Sequence, residues 1–344
     1  MQLPRRTLEQ LLERRPMSET QAGSLLRQLT EPTMPAALAG ALLAALRAKG
    51  ETPEEVRGFA RAMRELARRP QLPERPDAID IVGTGGDGSG SLNLSTGAAL
   101  LTAACGLPVI KHGNRAITSR SGSADLIEQL GLALPMDEVR AGECFAATGF
   151  TFLYAPYFHP AMRAVAPIRA ALGVRTLFNL LGPLTNPAAP RYYLIGAFDV
   201  AAAALIADTL CGMEVERAWV VHGAAGWDEA TPIGPFQVFQ VQRGAVHRLE
   251  IDPCALGLEP CAAADLAGGD AAANLAALRC VFSGEERGAH RAALLLQSGI
   301  ALVVGGRAAD IATGMQAAAS TLDSGRAQRW LDALGSFAAA SGPP

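Results

Sequence analysis

After a proline-punctuated linker, "RRPQLPERPD", five short apolar runs alternate with helix-like stretches: "IDIVG", "LPVIKHG", "FTFLYAP", "YYLIGAF" and "RAWVVHG". Each is apolar at nearly every position rather than at every second one. Strands covered on both faces read this way, and such strands belong to parallel sheets flanked by helices. Parallel neighbours need a crossover, and the segments between the runs are long enough to provide one. The alternation predicts an α/β fold with a mainly parallel central sheet. "FQVFQVQRGAVHRLEI" alternates around Arg243-Gly244 and reads as an antiparallel hairpin. From Asp270 onward the pattern is again mostly helical.

The segment before the linker differs. Residues 1 to about 70 read as four short helices, within the few residues that such boundaries allow. Leu8, Leu11 and Leu12 recur at helical spacing. Ser18 with Gln21, and Thr52 with Glu55, match capping boxes, and Pro53 suits a first helical position. Between them "PAALAGALLAALRAKG" stops at Lys49-Gly50, a usual helix exit. Pro70, Pro73 and Pro76 then bar any continuation.

Composition removes several function classes. With 344 residues, 49% of them hydrophobic, the chain has material for one or two large cores. A net charge of −3 argues against a general nucleic-acid binder. Cys105, Cys144, Cys211, Cys254, Cys261 and Cys280 form no CxxC pair, and the histidines are scattered, so free thiols and no structural zinc are expected. The N-terminal "MQLPRRTLEQLLERRP" is charged throughout and lacks the apolar centre of a signal peptide. No uncharged run approaches the ~18 apolar residues of a membrane span. A cytoplasmic protein without membrane partners is expected.

Four stretches carry chemistry. "IDIV" runs into "GTGGDGSGS", and Ser95-Thr96 then begin a helix that reaches Gly106. Strand, glycine-rich loop and helix start form a geometry that holds phosphates, because the backbone approaches closely and free N–H groups point at the anion. The loop is neither a Walker P-loop nor the dinucleotide fingerprint. A tight turn with a helix cap is the plain alternative. Beyond the next strand, Lys111, His112, Asn114, Arg115 and Arg120 gather donors within a few residues. Ligands in open α/β sheets bind beyond the carboxyl ends of strands, so both turns are expected to open on one side. Asp228-Glu229 follow a third strand end, where a loop lets both carboxylates face one point. That pair suits Mg²⁺ on a pyrophosphate, and a solvated acidic turn is its plain alternative. In the fourth stretch His159 precedes Pro160 at a helix start, and Arg169 or Arg175 has the fork that clamps a carboxylate.

Taken in order, "GTGGD", "N-x-S-T", "KHGNR", "SRSGSAD", "FHPAM", "RTLFNLLGPLTNP" and the Asp-Glu pair resemble the anthranilate phosphoribosyltransferase family, over nearly the whole chain. The resemblance implies an α/β fold of the nucleoside phosphorylase/phosphoribosyltransferase type, made of a small all-helical domain and a large α/β domain with the active site between them. The boundaries expected are 1–73 for the helical domain, with helices from about 163–187 packing on it, and 77–160 with 188–344 for the α/β domain. It also implies a homodimer formed through the helical domain, two Mg²⁺ ions per site, and a place in tryptophan biosynthesis. Gly83, Thr84, Gly85, Gly86 and Asp87 would cradle 5-phosphoribosyl 1-pyrophosphate, with Asn93, Ser95, Thr96, Lys111 and Ser123 on its phosphates or ribose. Ser95, Asp228 and Glu229 would hold the metal. Asn114 and Arg169 would position anthranilate, and His112, His159 and Pro183 would line its channel. No general base is assigned, because an aromatic amine is unprotonated at neutral pH.

Three departures from the family pattern are present: Ser91-Leu92 in place of a Thr-Phe pair, Gln297 where Asn is common, and altered surroundings of the acidic pair in "GWDE" and "TPIGPF". A pyrimidine nucleoside phosphorylase of the same architecture would need no paired metal carboxylates. A non-catalytic nucleic-acid-binding relative would need a basic groove.

Overall fold

The computed structural model describes residues 2–116 and 120–339; residues 117–119, inside the stretch that joins "KHGNR" to "SGSAD", lie outside it. Four helices come first: α1 (Gln2–Leu12), α2 (Glu19–Leu29), α3 (Ala36–Lys49) and α4 (Pro53–Glu65). Both predicted capping boxes form, with Ser18 and Thr52 each accepting from the backbone N–H three residues on. The chain continues through β1 (Ile79–Gly83), α5 (Leu94–Ala104), β2 (Val109–Gly113), α6 (Ser123–Gln129), α7 (Glu138–Thr148) and β3 (Phe150–Tyr154). The helices α8 (Ala155–Phe158), α9 (Met162–Leu172) and α10 (Phe178–Leu181) precede β4 (Tyr192–Gly196), α11 (Val200–Cys211) and β5 (Arg217–His222). The hairpin β6 (Phe236–Gln242) and β7 (Ala245–Ile251) follows, and then α12 (Ala271–Ser283), α13 (Ala289–Val304), α14 (Ile311–Asp323) and α15 (Arg326–Ala339).

The seven strands form one sheet in the order β3-β2-β1-β4-β5-β6-β7. The first five are mutually parallel, and β6 and β7 run antiparallel at one edge. Arg243 and Gly244 both have positive φ (53° and 73°), the backbone of the two-residue hairpin turn that the alternation predicts.

The continuous apolar runs are explained by the sheet's two covered faces. Along β4, Tyr192 and Leu194 enter one core with α5 and α12–α15. Tyr193 and Ile195 enter a second core with α1–α4, α9 and α11, and with Phe178 and Leu181 of α10. Successive side chains point to opposite faces, and here both faces are dry. No described helix is long and apolar enough to cross a membrane, and all six cysteines are free thiols.

Candidate active site

Strands β1, β4 and β5 end side by side at Gly83, Gly196 and His222, and β2 ends beside β1 at Gly113. The crossover helix after β1, α5, packs in one core, while the one after β4, α11, packs in the other. The chain thus reverses direction across the sheet between β1 and β4, where a crevice opens beyond the strand ends. A cavity of about 670 Å³ occupies that crevice.

The glycine-rich loop forms one wall. Gly85, Gly86, Gly88 and Gly90 have φ between 61° and 73°, which side-chain-bearing residues rarely adopt. The loop is held from three directions. Thr84 donates its N–H to the Gly196 carbonyl (2.9 Å), and its hydroxyl accepts from the N–H of Phe198 (3.1 Å). The Arg175 guanidinium donates to the Gly86 carbonyl (2.7 Å) while stacking 3.9 Å from the Phe198 ring centroid. Asp87 accepts from the Asp228 N–H (3.3 Å).

The acidic turn crosses directly over the ends of β1 and β4. Gly83 and Gly196 are register partners. A Cβ on Gly83 would lie 2.3 Å from Asp228 Oδ2, and one on Gly196 would lie 1.4 Å from the Asp228 carbonyl oxygen. Glycine at Gly196 is what lets the turn's backbone descend this far, and glycine at Gly83 leaves the Asp228 side chain its place. The two carboxylates are then fixed by backbone donors. Asp228 Oδ2 accepts from Gly85 N–H (2.6 Å), and Glu229 Oε1 accepts from Ser95 N–H (3.0 Å) in the first turn of α5. Ser91 Oγ lies 3.4 Å from Glu229 Oε2.

Charge is concentrated here. Burial, joined by the nearby Asp87 carboxylate, pushes Asp228 up to about 7. Desolvation and the Asp228 charge raise Glu229 well above the ordinary carboxylate range. Lys111, buried at the end of β2, donates its ammonium to the Ile81 carbonyl and lies 3.5 Å from Ser95 Oγ. Burial lowers it to about 8, against the opposing pull of Asp80 and the acidic pair. Asp80, also buried, accepts from Asn186 (2.8 Å) and from the His112 N–H (3.3 Å).

Of the residues expected from sequence, Gly83, Gly85, Gly86, Asp87, Asn93, Ser95, Thr96, Lys111, His112, Asn114, Ser123, Asp228 and Glu229 all line this one cavity. Thr84, His159, Pro183 and Arg169 do not. Thr84 is a staple between the loop and β4. His159 sits behind His112, their rings edge to face at 5.0 Å, and His112 Nδ1 lies 3.3 Å from the carbonyl of Gly182, next to Pro183. Burial lowers both imidazoles, His159 to about 4, so both are neutral at pH 7. Arg169 lies on α9, 5.3 Å from the Phe178 ring centroid, and has no ion-pair partner among the described residues.

One supporting residue, Asn274, carried no local signal, and Gln297 was visible in sequence only as a departure from the family pattern. Asn93 is clamped by Ser121 (3.0 and 3.1 Å) and by Asn274 of α12 (2.8 Å), a partner 181 positions away. Gln297 of α13 packs behind the acidic pair.

The oxygen-only donor set fits Mg²⁺. Two carboxylates face one point, and each is held above its usual range by burial and by neighbouring negative charge, which a cation relieves. No three His, Cys, Asp or Glu side chains converge as a closed metal site among the described residues. A Mg²⁺ bound here would keep coordination positions for water and substrate oxygens, as that ion prefers.

Residues 5–67 match the helical bundle domain of a glycosyl transferase family, and residues 75–328 match the a/b domain of a glycosyl transferase family. A helical bundle beside an α/β sheet, with a crevice at the sheet's reversal lined by a glycine-rich loop, a buried lysine and two carboxylates, defines a glycosyl-transferring enzyme of this two-part class. Over 334 residues the chain is 44% identical to the anthranilate phosphoribosyltransferase of Desulforudis audaxviator, covering 97% of this chain and 96% of that protein. The anthranilate phosphoribosyltransferase of Thermus thermophilus superposes with a TM-score of 0.90 at 42% identity, covering 97% of this chain and 99% of that one. The Saccharomyces cerevisiae enzyme, solved in complex with PRPP and Mg, gives 0.88 at 26% identity and 98% coverage of each chain. The chain belongs to the anthranilate phosphoribosyltransferase family.

Proposed function

We propose that the protein transfers the phosphoribosyl group of 5-phosphoribosyl 1-pyrophosphate to the amine of anthranilate, releasing pyrophosphate. The observation that carries this reading is the convergence of the glycine loop, Lys111 and Asp228-Glu229 on one crevice. In the reaction the amine nitrogen bonds to the anomeric carbon. The bond from that carbon to the pyrophosphate oxygen breaks, and its electron pair leaves with the pyrophosphate. The amine then gives up one proton.

Each group has a task in that step. Loop N–H groups and the Lys111 ammonium face the departing charge, where preorganised donors are most effective. Ser95, Asp228 and Glu229 would hold Mg²⁺, with two ions per site, and the metal would supply positive charge to the departing pyrophosphate. Ser123 and Asn93 meet the phosphate or ribose. Arg169, with no carboxylate partner among the described residues, takes the anthranilate carboxylate as a charged hydrogen-bond partner. Asn114 fixes the ring, and His112, His159 and Pro183 form the wall along which it enters. No side chain is assigned as general base. The amine is already unprotonated at neutral pH, and burial weakens both imidazoles as bases.

We further infer a cytoplasmic homodimer that meets through α3 and α9 of the helical part. Ala36, Ala37, Ala41 and Ala44 on α3 face an apolar groove with Pro167, Ile168 and Leu172 on α9. The decisive experiment follows anthranilate fluorescence with 5-phosphoribosyl 1-pyrophosphate and Mg²⁺. A decay that requires both supports the reading. Stable fluorescence together with phosphorolysis of thymidine would overturn it in favour of a nucleoside phosphorylase.

A further inference from the structure

Behind the acidic pair, on the side away from the large crevice, lies a second cavity of about 10 Å³. Asp228, Glu229, Ser95 and Gln297 meet there, among apolar walls from β1, β4 and β5. The volume is that of about one water molecule, and a water is stable in such a space when it finds two to four polar partners. The two carboxylates provide them from one side. Gln297 provides a donor from the other. It enters from the middle of α13, is 4% exposed, and its Nε2 has no hydrogen-bond partner among the described residues. A buried amide N–H left unpaired costs about 1–3 kcal/mol. One turn away on α13, Leu294, Ile300 and Ala301 are buried apolar residues, while the adjacent Ser298 is buried and its hydroxyl donates to the Ala98 carbonyl.

We propose that Gln297 is a positioning residue for the Asp228-Glu229 pair, acting through one ordered water held in this cavity. The amide donates to the water, and the water donates to the carboxylates. The rear of the acidic pair is thereby fixed while the front stays open to the cation. Gly85 and Ser95 N–H groups already hold one oxygen of each carboxylate, and the water restrains the pair from a third direction. Partners of metal-binding carboxylates that orient them in this way commonly matter as much as the ligands' own geometry. The proposal rests on the reading of the acidic pair as the Mg²⁺-pyrophosphate holder.

Two measurements test it. A crystal structure of the wild-type protein at about 1.5 Å or better is expected to show a water within hydrogen-bond distance of Gln297 Nε2 and of an Asp228 or Glu229 oxygen. A dry cavity, or a water without the Gln297 bond, overturns the proposal whatever the activity. Gln297→Met keeps length and removes the donor. Calorimetric titration with the Mg²⁺ complex of 5-phosphoribosyl 1-pyrophosphate is expected to show Kd raised by about tenfold, while a pyrophosphate-free thermal melt stays cooperative. Unchanged Kd in a folded Gln297→Met protein refutes the positioning role. Failure of the wild-type protein to bind the Mg²⁺ complex at all would instead sink the underlying functional reading.

Discussion

Lys111 is a cation in a place that disfavours cations. It is almost fully buried, and burial outweighs the attraction of Asp80, Glu229 and Asp228, leaving its ammonium at about 8 rather than in the usual lysine range. An incoming pyrophosphate rewards the protonated form. Binding is therefore linked to proton uptake once the pH exceeds about 8. The affinity for 5-phosphoribosyl 1-pyrophosphate is expected to be flat below that point and to fall about tenfold per pH unit above it. Titrating KM for this substrate from pH 7 to 10 checks it, and a flat profile removes Lys111 from the binding site. Asp228 and Glu229 have the opposite problem. Their folded-state pKa values lie above the unfolded ones, with Asp228 at about 7. Between the ordinary carboxylate value of about 4 and about 7 the folded chain binds more protons than the unfolded chain. Stability of the ligand-free protein therefore falls as pH rises through that window. Asp228→Asn with Glu229→Gln removes the repulsion and keeps the oxygens that accept from Gly85 and Ser95. At pH 8 the double variant is expected to be more stable by about 1–3 kcal/mol and slower by about 100-fold or more. Denaturant melts beside turnover decide this; a variant that is both less stable and fully active contradicts it.

At the scale of elements, the site depends on how β1 and β4 stop. Gly83 and Gly196 are register partners, and the acidic turn rests on the space that their missing side chains leave. The two are not equivalent. At Gly83 the obstructed atoms belong to the Asp228 side chain, which can rotate, whereas at Gly196 they belong to the Asp228 backbone, which cannot. Gly196→Ala is therefore expected to cost at least about 1–3 kcal/mol by overpacking and to displace both carboxylates, with turnover lost. Gly83→Ala is expected to be milder in stability. Equal melting temperatures for Gly196→Ala and the wild type would show that the turn is pliable. This contrast also marks what the sequence made legible. Strand ends were visible because buried parallel strands are apolar at nearly every position, as in "YYLIG" and the "AWVV" centre of "RAWVVH". Helix starts were visible because Ser18 and Thr52 act within three residues. The convergence of the loops followed from the rule for open α/β sheets. What stayed hidden was whatever depends on register or on distant packing. Nothing near Asn93 announces Asn274 across 181 positions. Nothing near Gly196 announces the Asp228 carbonyl. Thr84 reads like its glycine neighbours, yet its hydroxyl holds the Phe198 N–H rather than lining the cavity.

For the molecule as a whole, the helical part has more apolar surface than its own core uses. Its core joins α1–α4 to α9–α11 and to one face of the sheet. That leaves α3 with two kinds of position. Ala39, Leu42, Leu43 and Leu46 are buried, while Ala36, Ala37, Ala41 and Ala44 are exposed beside Ile168 and Leu172 of α9. A helix apolar all round is ordinarily buried all round. The exposed side is lined by alanine and by Gly40, residues small enough for another helix to approach closely, and Val174 just beyond α9 is 58% exposed. A second copy of the chain covers this face in the proposed homodimer. Charge on the face opposes such contact without touching either core, so Ala37→Glu with Ala44→Glu is expected to convert the dimer to a monomer of unchanged fold. Light scattering coupled to size exclusion reads the mass, and circular dichroism reads the fold. A wild-type protein with the mass of one chain would refute the homodimer, and a doubly charged variant that stays dimeric would place the contact elsewhere. Because neither Ala37 nor Ala44 lines the crevice that holds Lys111, Asp228 and Glu229, the monomeric variant is also expected to keep its turnover to within a few fold.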